Sequence, residues 1–198
     1  MSLILASSSP FRKELLNKLG MDFDSVSPDI DESRRANETP EQLVLRLAQE
    51  KAREVAKTHS GLIIGSDQVA TLGDEILTKP NNHENAVKQL KQSSGNSVIF
   101  LTSLALLDTD SNTIDTHVEK TKVVFKVLSA QQIENYLQKE KPYHCAGSFK
   151  SEALGVSLLE RIEGNDPNAL IGLPLIQLIK MLENQGVDVL AQGAHSKN

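Results

Sequence analysis

Four apolar residues, Leu3 to Ala6, run straight into Ser7-Ser-Ser9 and Pro10, and this junction constrains the fold more than any other part of the chain. The apolar run reads as a buried strand. Ser9 is a good N-cap, and proline at the first helical position gives up an N–H that had no partner anyway, so a helix opens at Pro10. A strand feeding a helix N-terminus aims free N–H groups, the positive end of the helix dipole and small hydroxyls at one point. Arg12 and Lys13 add cations one turn in. Such a junction suits a phosphorylated ligand; an ordinary capped helix with surface charges would use the same residues.

The rest of the pattern is α/β. Phe23 to Ser27 reads as a second strand, followed by the acidic loop Asp29 to Glu32. Thr39-Pro-Glu-Gln42 has capping-box spacing and starts a helix to about Lys57. Leu62 to Gly65 is a buried strand that ends in Ser66-Asp67-Gln68, and Thr71 to Leu77 is a small hairpin. A helix is expected from His83 to Gln92. Asn96–Leu107 and Thr113–Val127 form a long hairpin, with Val123, Phe125 and Val127 alternating on its buried face. Ser129 caps a further helix, Pro142 to Asn168 is loop-rich, and Leu175 to Leu182 closes the fold as an amphipathic helix ended by Gly186. The result is a mixed twisted sheet with helices on its faces, one domain over residues 1–190 in two lobes around a central cleft, and a disordered tail at 191–198.

Composition narrows the partners. With 198 residues, 39% apolar and a formal charge of −5, the chain can bury a sizeable core but is no polyanion binder overall. Phosphate binding therefore needs a local basic focus, and nucleic acid is disfavoured. No stretch is long enough to span a membrane. Cys145 is the only cysteine, so an intrachain disulfide is excluded and a reducing cytoplasm is the expected address. A cysteine nucleophile beside His144 is formally open, although a lone cysteine is more often a small buried hydrophobe.

A few residues carry chemistry. Asp67 follows an apolar strand, where α/β proteins expose ligand-facing groups, and a carboxylate there can accept a proton from water. A turn-capping aspartate looks the same locally. Lys51 falls inside the apolar stripe of Val44, Leu47, Ala48 and Val55, so its ammonium must find an anion or snorkel to the surface. Arg46, Glu50 and Arg53 read as the helix's solvated face. Asp31 and Glu32 could serve a divalent cation or simply form an exposed turn. Lys79 is held extended by Pro80. P-loop and dinucleotide-fold motifs are absent, and the five histidines lack metal-ligand spacing.

Ala6-Ser-Ser-Ser-Pro-Phe-Arg12, Asp31-Glu32, Leu47-Ala-Gln-Glu-Lys-Ala52, Gly65-Ser-Asp-Gln68, Thr78-Lys-Pro80, Gly147-Ser-Phe149 and Gly172-Leu-Pro174 together resemble the Maf family of nucleotide pyrophosphatases, in family order and over nearly the whole chain. The resemblance implies an α/β fold related to inosine triphosphate pyrophosphatases, and a cut between the α and β phosphates of a small-molecule nucleoside triphosphate. It implies a divalent cation (Mg2+, Mn2+ or Co2+) facing Glu32 and Asp67. Asp67, Lys51, Lys79 and Glu32 become the catalytic set, with Ser7 and Arg12 on the phosphates. Phe11, Gln68 and Glu152 stand where the dTTP- and UTP-cleaving branch has Arg, Thr and Gln, and resemble the branch that hydrolyses 7-methyl-GTP. An aromatic face suits the cationic N7-methylated purine, and a carboxylate can accept the guanine N1–H and exocyclic N–H₂. Phe11, Leu15 and Leu19 also have the spacing of a plain core stripe. Pyrimidine or other modified triphosphates, and a nucleotide-binding regulator of septum formation, are the competing readings. No residue decides whether a homodimer forms.

Overall fold

A computed structural model describes residues 2–191, so the expected tail lies, from residue 192 onward, outside the described residues. Seven strands make one mixed sheet: β1 (Leu3–Ala6), β2 (Asp24–Val26), β3 (Leu62–Leu72), β4 (Glu75–Leu77), β5 (Ser97–Asp108), β6 (Thr113–Phe125) and β7 (Leu159–Glu163). Their order is β2-β1-β3-β5-β6-β7, with β4 paired to β3. β1 lies parallel to β2 and β3, while the pairs from β3 through β7 are antiparallel. The helices are α1 (Pro10–Asn17), α2 (Pro40–Ala56), α3 (His83–Ser93), α4 (Ala130–Glu140), α5 (Pro167–Ile171) and α6 (Leu175–Asn184).

The capping signals act as their chemistry requires. Thr39 and Gln42 exchange side-chain and backbone hydrogen bonds at the start of α2, and Ser129 and Gln132 do the same at α4. Three expectations about the strands need correction. β3 does not stop at Gly65; it runs on to Leu72 because β5 pairs with it from Leu62 to Thr71, so Asp67 lies within a strand and not after one. The loop-rich stretch contains β7, whose Glu160, Arg161 and Glu163 disguise it; it is an edge strand, where charge is tolerated. β6 ends at Phe125, and Val127 is 85% exposed, so it does not continue the buried alternation.

Alternation along β3 sends odd and even residues to opposite faces. Ile63 packs with Ala52 and Val55 of α2, whereas Leu62 and Ile64 pack with Leu173, Leu178 and Leu182 on the α6 side. A separate cluster, built on Phe100, Phe125, Leu90 and Ile133, lies toward α3 and α4. Between these clusters the strands turn polar: Ser66, Thr102 and Ser103 are fully buried. Gly65 has a steric reason, because a methyl group there would collide with the Ala48 carbonyl of α2. The close approach brings Lys51, one turn further along α2, over Asp67, which shares the odd face of β3.

Arg46, expected on the solvated face of α2, is instead nearly buried. Its guanidinium grips Glu38 with Nε–Oε1 at 2.6 Å and Nη2–Oε2 at 2.9 Å, and also reaches Glu50 and the Ser33 carbonyl. This fork ties the loop carrying Glu32 to α2. The Arg46 hydrogen bond holds the Glu38 carboxyl at about 2 instead of an ordinary 4.5. A depressed carboxylate contributes stability that is complete above its unfolded pKa and disappears as pH falls through the folded one. Melting temperatures of Glu38→Gln and the unaltered chain should thus differ most above pH 4.5 and converge toward pH 2. A pH-independent gap would show that the ion pair is not the source.

Candidate active site

β1 and β4 pair with the same edge of β3, but β1 covers it only to Gly65 and β4 begins at Ala70. Ser66 to Val69 therefore have no strand neighbour on that edge among the described residues, and the sheet is open there. Through this opening, groups from both faces meet. Asp67 comes from the α2 face, while Ser66 and Gln68 come from the face covered by α5.

A cavity of about 530 Å³ fills the opening. Ser7, Phe11, Arg12, Glu32, Lys51, Asp67, Gln68, Lys79 and Glu152, drawn from positions spread along the chain, all line it. Lys13, Asp29 and Asp31 are not among its lining residues. The Asp31 carboxylate instead accepts from the Ser33 N–H at 2.9 Å, in an exposed turn. Phe11 lines the cavity, while Leu15 and Leu16 of the same helix turn into the core, so α1 has no single Phe11-Leu15-Leu19 core stripe.

Lys51 is 6% exposed, and its Nζ lies 2.6 Å from Asp67 Oδ1 and 2.7 Å from Glu32 Oε1. It does not snorkel. A buried ammonium requires anions, and here two carboxylates supply them. Burial pushes the Glu32 carboxyl up, but the Lys51 hydrogen bond and charge, with Lys79 and Arg12, outweigh this and leave it below its usual range. Opposite, Ser9 Oγ accepts the Arg12 N–H at the start of α1, and Ser7 Oγ accepts the Ser9 N–H at 3.1 Å. Burial lowers the Arg12 pKa, opposed by the charges of Asp67 and Glu32.

Gln68 has a structural duty. Its Nε2 donates to Thr102 Oγ1 at 2.9 Å and to the Ala169 and Leu170 carbonyls at 3.0 Å each. Only its Oε1 is left to meet a ligand. Sequence reasoning missed Lys141 and Lys150, which also line the cavity and raise its cations to five against three carboxylates. Neither stands in a local motif that marks it. Here is the basic focus that a chain of charge −5 needs. His144 and Cys145 line the cavity too, and burial pushes the Cys145 thiol up, away from the thiolate a nucleophile requires.

Among the described residues, no group of three or more His, Cys, Asp or Glu side chains is placed to hold a metal ion. Glu32 and Asp67 converge on one ammonium, and each has a second oxygen with no hydrogen-bond partner among the described residues. Two hard oxygen donors fit a divalent cation that takes the rest of its shell from phosphate and water.

A family profile described as Maf-like protein matches residues 2–185. Proteins named 7-methyl-GTP pyrophosphatase are similar over nearly the full length. The one from Nitrosococcus oceani is 54% identical over 190 residues, covering 96% of each chain. That of Aliivibrio fischeri is 52% identical over 95% of this chain and 98% of its own. The Pseudoalteromonas translucida protein is 55% identical over 96% and 94%. Among solved structures, a dITP/XTP pyrophosphatase from Mycobacterium abscessus is similar with a TM-score of 0.45, 19% identity and coverage of 65% of this chain and 76% of its own. The Ham1 protein of Staphylococcus aureus gives 0.44, 16%, 64% and 71%. By the profile match and by these full-length relatives, the chain belongs to the Maf family.

Proposed function

We propose that the protein hydrolyses 7-methyl-GTP to 7-methyl-GMP and pyrophosphate, keeping the modified nucleotide out of nucleic acid. The observation that carries this reading is the Lys51 ammonium held between Asp67 and Glu32 beside the serine-capped start of α1. The names of relatives more than half identical to it supply the base.

Asp67 accepts a proton from water as the water oxygen attacks phosphorus. Arg12, Lys51 and Lys79 offset negative charge growing on the departing pyrophosphate, a task for prearranged cations in a site partly closed to water. Ser7 and the Phe11 N–H, the first-turn amide of α1 that Ser9 leaves free, hold phosphate oxygens. Glu32 and Asp67 would hold a divalent cation, which neutralises phosphate charge when bound. Phe11 stacks on the cationic purine, and Glu152, exposed at the cavity wall, accepts from the guanine edge.

Pyrophosphate release from 7-methyl-GTP, GTP, dTTP and UTP tests the reading, with 7-methyl-GTP expected to give the highest kcat/KM. Preference for a pyrimidine would refute the base assignment, and no release from any of them would refute the enzyme. The two base contacts separate by substitution. Phe11→Leu should cut the 7-methyl-GTP to GTP preference by about 2- to 30-fold, the value of a cation–π contact. Glu152→Gln should weaken both purines alike relative to dTTP. If neither ratio moves, these two positions do not select the base.

A further inference from the structure

Gly172-Leu-Pro174, like Gly147-Ser-Phe149, is a family motif that the reaction leaves without a task. Gly172 follows α5 with φ of 139°, a backbone conformation that L side chains rarely adopt. Its carbonyl accepts from two side chains: Arg12 Nε, on the cavity wall, at 2.8 Å and the buried Ser66 hydroxyl at 3.1 Å. Ser66 precedes Asp67 on β3, so one backbone oxygen joins the proton-accepting strand to the cation of α1. Arg12 spends only Nε on this bond; Nη1 and Nη2 have no hydrogen-bond partner among the described residues.

We propose that the Gly172 carbonyl is a positioning group that orients the Arg12 guanidinium, so that both terminal nitrogens meet the phosphates as a fork. The inference rests on the phosphate-binding part of the proposed function. An anchored guanidinium loses less freedom on meeting its anion than a free one. A methyl group on Gly172 would meet Arg12 Cγ and Nε at 3.7 Å, an ordinary contact, so substitution there acts through the backbone angle and not through a clash.

Calorimetric binding of inorganic pyrophosphate, with Mg2+ present, reads the fork without turnover. Gly172→Ala and Arg12→Ala should each weaken it about tenfold, the scale of a charge-assisted hydrogen bond. Once Arg12 is gone, adding Gly172→Ala should cost no more than about twofold further. Independent, multiplying losses would overturn the proposal, as would a Gly172→Ala protein that binds pyrophosphate normally. Should Gly172→Ala fail to fold, NMR of the Arg12 side-chain Nε–H in the unaltered protein decides. An Nε–H protected from solvent exchange before pyrophosphate is added supports the anchor, and a freely exchanging one refutes it. A chain that cleaves no nucleotide yet shows this coupling would refute the proposed function and uphold the anchor; no pyrophosphate binding at all would refute both.

Discussion

Asp67→Asn is expected to lower kcat for pyrophosphate release by about three orders of magnitude, within the usual range for losing a positioned general base. Asparagine keeps the shape of the side chain but cannot take up a proton at neutral pH. The Lys51 ammonium keeps Glu32 as its anion, so the fold should survive, and circular dichroism should show an unchanged secondary structure. Arg12 and Lys79 keep their places on the cavity wall, so KM should change far less than kcat. Near-normal turnover would remove Asp67 from the mechanism. A large rise in KM with kcat intact would recast it as a binding residue.

Lys51→Met should be nearly as damaging and should also leave a pH signature. Removing a prearranged positive group from a developing negative charge costs about 10²- to 10³-fold in kcat. The substitution also strips Glu32 of the hydrogen bond and charge that outweigh its burial, so its pKa moves upward. In the unaltered chain that depressed group contributes stability above its unfolded pKa and loses it as pH falls through the lower, folded value. The stability gap between the two proteins should therefore be widest at neutral pH and narrow on acidification. Thermal melts across that range check the sign; a gap that widens in acid would mean the ammonium does not serve Glu32.

Much of the machinery was legible in local chemistry. Ser9, Thr39 and Ser129 are cap residues whose hydrogen bonds reach only three positions ahead, so each announces its helix without help from the fold. Lys51 betrayed itself by interrupting an apolar stripe. The edge strand β7 stayed hidden because its charges mimic a loop, and only pairing with β6 makes it a strand. Arg46 stayed hidden for the opposite reason: on a helix wheel it looks solvated, and a folded-back loop buries it against Glu38. Gln68 looked like a free specificity residue until α5 placed two carbonyls on its amide.

Residue type and spacing alone determined which groups could bind phosphate, accept a proton or hold a cation, because propensity, capping and periodicity act over a few residues. The tertiary structure decided that they share one opening. That outcome depends on β3 outrunning β1 and on β4 pairing with it only after a gap of four residues, contacts between distant segments that leave no trace in any short window. Long-range register, set by which faces bury together, turns scattered serines, lysines and carboxylates into a site.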